Sequence, residues 1–281
     1  MKRLPLMAGS FSFWCTVGSG LAAGETASDG EDGHVCAEMA RMSIKTHDYE
    51  KHAGAFADLE MQGTQYLAFR DIPTLIGEHA GSVASVLDYG CGAGRSTRFL
   101  KRLGYDAIGV DISQDMLRQA RSKDEAGQYY HVPSGRLPFG DFAFDLIFAS
   151  YVFLEVSRIE EIENILKELK RVLKKDGIII LVTSSTEATE GNWVSLSYAF
   201  PENDKTLQSG DTVKLLIQGI DVVLYDYFWT EEDYIGAAER AGLGLAKLHK
   251  PLGSPDEGIE WRDETKMSPI AIYVLRTPSL M

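Results

Sequence analysis

Cysteine is scarce in this chain: Cys15, Cys36 and Cys91 are its three among 281 residues, an odd number with no C-x-x-C spacing. Neither a disulfide framework nor a structural zinc site is indicated by that pattern. Positive charge is also in short supply. Lys and Arg total 28 against 41 Asp and Glu, which leaves a formal net charge of −13. A nucleic-acid partner favours a basic face, so this balance argues against one, while a small neutral or cationic partner stays compatible with it. Long apolar runs are missing as well. No stretch approaches the roughly 20 residues that a membrane-spanning helix needs, and no membrane partner is expected. There is no internal repeat, and no His and carboxylate cluster stands out as a metal site.

What the chain does have is an informative run of glycine. Residues 86–94 read Val-Leu-Asp-Tyr-Gly-Cys-Gly-Ala-Gly: the apolar end of a buried strand, the carboxylate of Asp88, then glycines at 90, 92 and 94. The dinucleotide fingerprint G-x-G-x-x-G puts its last glycine one residue later, where Arg95 stands here. A pyrophosphate at this loop would be repelled by Asp88, which disfavours a dehydrogenase. A ligand carrying an ammonium group suits that carboxylate, directly or through a water, and glycines let the backbone come close. Residues 95–103 continue as a helix with Phe99, Leu100 and Leu103 as its apolar stripe. A second buried strand ends at Asp111, 17 positions beyond Gly94, where a doubly wound sheet places the carboxylate that accepts from ribose hydroxyls. Ser113 reads as the N-cap of the next helix, with Asp115 in its first turn.

The remaining pattern predicts strands near 85–89, 106–110, 128–132, 144–149 and 177–183, and helices near 94–104, 113–123 and 158–174. The last helix carries Ser157-x-x-Glu160 as a capping box, and Gly177 ends the turn after it. Helices are expected over 48–78, a further helix from Thr230 to a stop at Gly242, and closing strands at 243–248 and 270–275.

Four segments in this order and spacing resemble the class I S-adenosylmethionine-dependent methyltransferases, small-molecule branch. They are residues 86–94, Ile108-Gly-Val-Asp111, Leu137-Pro-Phe-Gly-Asp-Phe-Ala-Phe-Asp-Leu-Ile-Phe-Ala-Ser-Tyr151, and Leu166-Lys-Glu-Leu-Lys-Arg-Val-Leu-Lys-Lys-Asp-Gly177. The resemblance is close over residues 46–184 and looser beyond. It implies an α/β fold, Rossmann-like and doubly wound, with a seven-stranded, mostly parallel sheet and helices on both faces. It also implies S-adenosyl-L-methionine as cofactor, S-adenosyl-L-homocysteine as product, and a cytoplasmic enzyme. By the same resemblance, Asp88, Gly90, Cys91, Gly92, Asp111, Ile112 and Met116 hold the cofactor. Ser150 and Tyr151 face its methionine end, and Tyr49 lies near cofactor and acceptor. Cys91 reads as a small buried residue or as a reactive thiol.

Two departures from the family pattern matter. Relatives often carry an acid about four residues before Leu-Pro-Phe to receive the adenine amine; here Pro133 stands there, so Ser134, Gly135 and Arg136 must serve. Where many relatives have a histidine before an acid, this chain reads Tyr151-Val-Phe153-Leu154-Glu155. Leu154 cannot take a proton. Glu155 and Tyr151 are the catalytic candidates, mainly for positioning, while His131 and His249 read as structural.

The chain divides into an extension (1–45), the cofactor-binding core (46–184), an inserted lid (185–229) and a C-terminal completion of the sheet (230–281). The extension mimics a secretory leader, but Gly9, Ser10, Ser12, Thr16 and Gly18 break its apolar core. Residues 24–33 read as a linker, and Val35, Met39 and Met42 as a short amphipathic helix that covers this subunit or docks on a second copy as a homo-oligomer. The insertion is too long for an ordinary connection and holds a hairpin over 212–218 and 221–228. Phe153, Trp193, Tyr198, Phe200, Tyr227 and Phe228 are the candidate acceptor contacts. An aromatic lid without an evident base suits a small hydrophobic acceptor in natural-product metabolism. The narrowest expectation is methylation of a prenylated-indole carbon, since ring faces stabilise a developing cation; O- or N-methylation and a non-catalytic binding protein are the alternatives.

Overall fold

The computed structural model describes residues 49–59 and 61–278. The expectations for residues 1–45 lie outside the described residues, as does the side chain of Tyr49. Three helices come first, α1 (Tyr49–Asp58), α2 (Thr64–Arg70) and α3 (Ile72–His79). Then follow β1 (Ser85–Tyr89), α4 (Arg95–Arg102), β2 (Asp106–Asp111), α5 (Gln114–Lys123), β3 (Gln128–His131), β4 (Phe144–Ser150), α6 (Ile159–Val172) and β5 (Leu173–Ser184). The insertion contributes β6 (Leu196–Ser197), β7 (Thr212–Ile217) and β8 (Val222–Tyr227). The chain closes with α7 (Glu231–Arg240), β9 (Gly244–His249) and β10 (Ile270–Arg276).

Seven strands form one sheet in the order β3-β2-β1-β4-β5-β10-β9. Strands β1 to β5 run parallel, and β10 lies antiparallel to both β5 and β9. The near-continuous apolar strands are those of a sheet covered on both sides, and side-chain alternation divides them between two cores. Leu87, Ile147 and Ile179 face Ile162, Leu166 and Leu169 of α6 and Ala237 of α7. Their neighbours Val86, Leu146 and Ile178 face Leu67 and Phe69 of α2 and Ile72 and Leu75 of α3. The strand order reverses between β1 and β4, and in such sheets ligands bind at the carboxyl ends beside the reversal.

Two local expectations are corrected. No side chain caps α6: Arg158, in extended conformation, occupies the cap position. The Glu160 carboxylate that was to reach back instead lies 3.5 Å from the Arg158 guanidinium, and Glu160 and Glu161 complement the helix dipole from the first turn. Gly177 does not close a turn ahead of the strand. Strand β5 already begins at Leu173, opposite Phe144, and the register slips before Leu146 meets Ile178, so Gly177 sits in a bulge.

The insertion forms its own three-stranded antiparallel sheet in the order β6-β7-β8. Its expected hairpin gains a short third strand, β6, too brief to leave a pattern in the sequence. Trp193, Leu196, Val213, Leu215, Val222 and Leu224 make a separate apolar core there.

Candidate active site

The loop after β1 is shaped by backbone geometry. Gly90, Gly92 and Gly94 all take positive φ, at +70°, +51° and +78°, a region that costs L side chains roughly 1–2 kcal/mol. At Gly90 close approach adds to that cost, because a Cβ would lie 2.3 Å from Val152 Cγ2; at Gly92 a Cβ would meet nothing within 4 Å. The space beside Gly92 is therefore open, while Gly90 packs against the segment after β4.

Two carboxylates brace this loop. Asp111, at the end of β2, accepts from the Gly92 amide and the Ser113 amide, both at 2.8 Å. Burial pushes its carboxyl up, and those amides oppose the shift. Asp88 is wholly buried, and its Oδ2 accepts from Ser96 Oγ at 2.7 Å and Thr97 Oγ1 at 2.6 Å. Its Oδ1 is buried and has no hydrogen-bond partner among the described residues. Burial pushes the Asp88 carboxyl up to about 6 despite the two hydroxyls. A buried carboxylate oxygen left unsatisfied beneath an open glycine loop fits a cationic ligand group.

The other cofactor candidates gather around this loop. Ile112 exposes 54% of its surface, unusual for so apolar a residue. Met116 is buried, and its amide donates to the Ser113 hydroxyl. Burial, together with Asp88 and Asp111, raises the Cys91 thiol, which leaves Cys91 as a packing residue and not a reactive thiol. In the segment that must receive the base, the Gly135 amide donates to the Tyr89 hydroxyl at 3.2 Å, Ser134 Oγ to Glu161 at 3.3 Å, and Arg136 is exposed. Ser150 pairs with Val182 at the end of β4. Tyr151 follows at φ +59°, strained for a non-glycine residue, and its buried hydroxyl lacks a partner.

A small cavity of about 30 Å³ lies between the insertion and the carboxyl end of β5. Tyr198, Tyr227 and Phe228, three of the candidate acceptor contacts, line it together with Leu154, Trp229 and Tyr234. The other acceptor candidates are elsewhere. Trp193 is fully buried in the lid's own core, its Nε1 donating to the Ala188 carbonyl at 2.7 Å. Phe200 lies under the Lys214 ammonium, 4.7 Å from its ring centre. Phe153 belongs to the main core, and Glu155, half-buried in the short helical turn after β4, does not line the cavity.

Sequence reasoning missed Asp226. It lines the cavity from β8, is 7% exposed, and its Oδ1 is buried without a hydrogen-bond partner. Burial alone pushes its carboxyl up to about 8. The signal was available: Val222, Leu224 and Asp226 occupy one face of an alternating strand, and the buried face ends in an acid.

Comparison with known proteins agrees with this geometry. The family described as "Methyltransferase domain" matches residues 87–181. The chain is 28% identical over 208 residues to the N-demethylindolmycin N-methyltransferase of Streptomyces griseus, covering 72% of this chain and 85% of that protein. It is 34% identical over 177 residues to the malonyl-[acyl-carrier protein] O-methyltransferase of Salmonella typhimurium, covering 59% of this chain and 67% of that one. An S-adenosylmethionine-dependent methyltransferase from Clostridium acetobutylicum shares the fold with a TM-score of 0.56 at 16% identity, over 87% of this chain and all of that one (100%). With its glycine loop, paired carboxylates and these relatives, the chain belongs to the S-adenosylmethionine-dependent methyltransferase family, an enzyme class whose methyl donor is S-adenosylmethionine.

Proposed function

We propose that this enzyme methylates a small, largely apolar metabolite of specialised metabolism, seated in the cavity between the lid and the core sheet. The observation that carries this is the aromatic wall of that cavity, Tyr198, Tyr227, Phe228 and Trp229, at the carboxyl end of β5. The donor supplies an activated methyl group on sulfur. In this reading Asp88 would meet its ammonium, Asp111 its ribose hydroxyls, and the exposed Ile112 its base. The loop at Gly92 leaves room for it. The protein's remaining task is to hold the acceptor atom in line about 3 Å from the methyl carbon, which supplies much of the rate through positioning. The lid rings exclude water from that encounter.

Transfer to nitrogen or oxygen is favoured over the alkene-carbon alternative. That alternative drew on a lid without a base, and Asp226 puts a carboxylate on the lid's inner face. The relative from Streptomyces griseus, named for an N-methylation, supports a nitrogen acceptor.

The test is transfer of labelled methyl from S-adenosylmethionine to a panel of indoles, aryl amines and phenols by the full chain, with product mapping by mass spectrometry. Label on a heteroatom is the expected result. Label on a prenylated-indole carbon would restore the carbon reading, and no transfer to any acceptor, with no binding of S-adenosylhomocysteine, would overturn the proposal.

A further inference from the structure

Among the described residues, Asp226 lacks the partners that a buried acid ordinarily has. A buried carboxylate normally has a cation or several donors beside it. Among the described residues no Lys, Arg or His lines this cavity, and the Asp226 Oδ1 has no hydrogen-bond partner. The cavity that it lines holds the rings of Tyr198 from the insertion, Tyr234 from α7 and Trp229 at the hairpin's exit, together with the hydroxyls of Thr183, Ser184, Ser185 and Thr189. A carboxylate among ring faces is a recognition site for an organic ammonium, which gains from the charge and from the π faces together.

We propose that Asp226 is the acceptor-binding carboxylate, and that the acceptor is an apolar molecule bearing a basic amine, the nitrogen that is methylated. This inference rests on the methyl-transfer role given above to the same cavity. It also assigns a proton step to this chain. An ammonium has no lone pair to offer. In the buried pair, one N–H bond breaks and its proton forms an O–H bond on Asp226, while both electrons of the broken bond stay on nitrogen. The ion pair becomes a neutral pair, which dry surroundings favour, and the nitrogen gains the lone pair that accepting a methyl group requires.

The groups facing Asp226 do not compete for that proton. Tyr198, Tyr151 and Tyr234 all couple to it, and burial raises each phenol, so they stay neutral at physiological pH. Arg95 acts electrostatically on Tyr151 and opposes the rise of its phenol. With the carboxyl at about 8 in the free protein, amine binding below that pH expels one proton, and affinity rises by roughly tenfold per pH unit up to that point. Above it, affinity levels off until the amine itself deprotonates near pH ~10.

The experiment is calorimetric titration of the full chain, with S-adenosylhomocysteine present, using tryptamine and its neutral isostere tryptophol in buffers of different ionisation heat. The expected result is at least a tenfold preference for tryptamine, release of one proton at pH 6.5 and none at pH 9, and loss of the preference in Asp226→Asn. Equal binding of the two probes, absence of tryptamine binding, or an unchanged preference in Asp226→Asn would overturn the inference. A second variant separates recognition from structure. Asp226→Leu should raise Tm at pH 8.5, because an uncompensated buried acid is removed; a lower Tm would show the carboxylate serving the lid's own fold and defeat the proposal. Binding of S-adenosylhomocysteine without amine preference sinks this inference alone, whereas failure to bind S-adenosylhomocysteine sinks the methyl-transfer reading beneath it.

Discussion

The indole Nε1 of Trp229 donates to the Val156 carbonyl at 3.0 Å, which ties the exit of the lid hairpin to the turn after β4. Replacing Trp229 with Phe leaves that buried carbonyl without its donor, a loss of about 1–3 kcal/mol. The expected result for Trp229→Phe is a lower Tm and a several-fold higher KM for the acceptor, with the KM for S-adenosylmethionine unchanged. Steady-state kinetics in both substrates checks this; a rise confined to the donor KM would contradict it.

Two alanine substitutions in the glycine loop should fail in different ways. Gly90→Ala meets Val152 at 2.3 Å as well as a positive φ, so it loses stability by roughly 2–4 kcal/mol from strain and overpacking together. Gly92→Ala carries the φ strain without the clash, and is expected to fold with about 1–2 kcal/mol less stability while losing most of its affinity for the donor. Paired denaturation curves and calorimetry separate the two. Equal Tm losses would refute the distinction.

Asp111 holds two backbone amides, those of Gly92 and Ser113. Asp111→Ala leaves both without an acceptor and frees the glycine loop. The expected outcome is destabilisation of about 1–3 kcal/mol and at least a tenfold weaker Kd for S-adenosylhomocysteine. A variant with wild-type donor affinity would remove Asp111 from the site.

The buried acids give stability a definite pH dependence. Asp88 and Asp226 sit at about 6 and about 8 in the folded chain, both above the ordinary 3.8. Between their unfolded and folded values the unfolded chain has released a proton that the folded chain still holds, so stability falls as pH rises. The fall contributed by Asp88 runs from about pH 4 to 6, and that by Asp226 from about pH 4 to 8. Tm measured across pH 4–9 should decline more gently in Asp226→Leu than in the wild type, above all between pH 6 and 8. Parallel profiles would show that Asp226 is not held protonated.

Asp145 shows the opposite sign. Burial alone would raise its carboxyl, but Lys174 Nζ at 2.8 Å and the amides of Ala84 and Ser85 bring it down to about 2. Its stabilising effect is therefore present above pH 4 and lost as pH falls through 2. Asp145→Asn should lower Tm at pH 7 by a few degrees and leave it unchanged near pH 2, as thermal melts at the two values would reveal.

The sheet was legible because its strands obey simple rules. Two apolar runs ending in Asp88 and Asp111, and the unbroken Ile178 to Val182, read as buried parallel strands from sequence alone, and all lie within observed strands. Ser113 was also readable as a cap and accepts from the Met116 amide. Ser157 was not, because a capping box is decided by which partner the glutamate finds, and Arg158 is nearer. Composition alone could not sort the lid aromatics. Trp193 and Tyr227 look equivalent in the sequence, yet one fills the lid's core and the other lines the cavity. Alternation alone does not make Asp226 legible as a site residue in the sequence, because an acid on an alternating strand ordinarily faces water, whereas this one lies on the buried face of β8.

Glu264 lies far along the sequence from the segments it joins. Fully buried, it accepts from the Thr64 hydroxyl and the Val194 amide on Oε1, both at 2.7 Å, and from the Arg262 amide on Oε2 at 3.0 Å. One keystone thus clamps the entrance helices, the root of the insertion and a late loop. Transplanting this insertion into a related scaffold, or replacing it to alter substrate choice, would have to carry residues 64 and 262–264 with it. Exchanging 185–229 alone would take the Val194 amide away from Glu264 and leave that buried acid short of a donor in this chain. The unit of modular exchange is larger than the insertion itself.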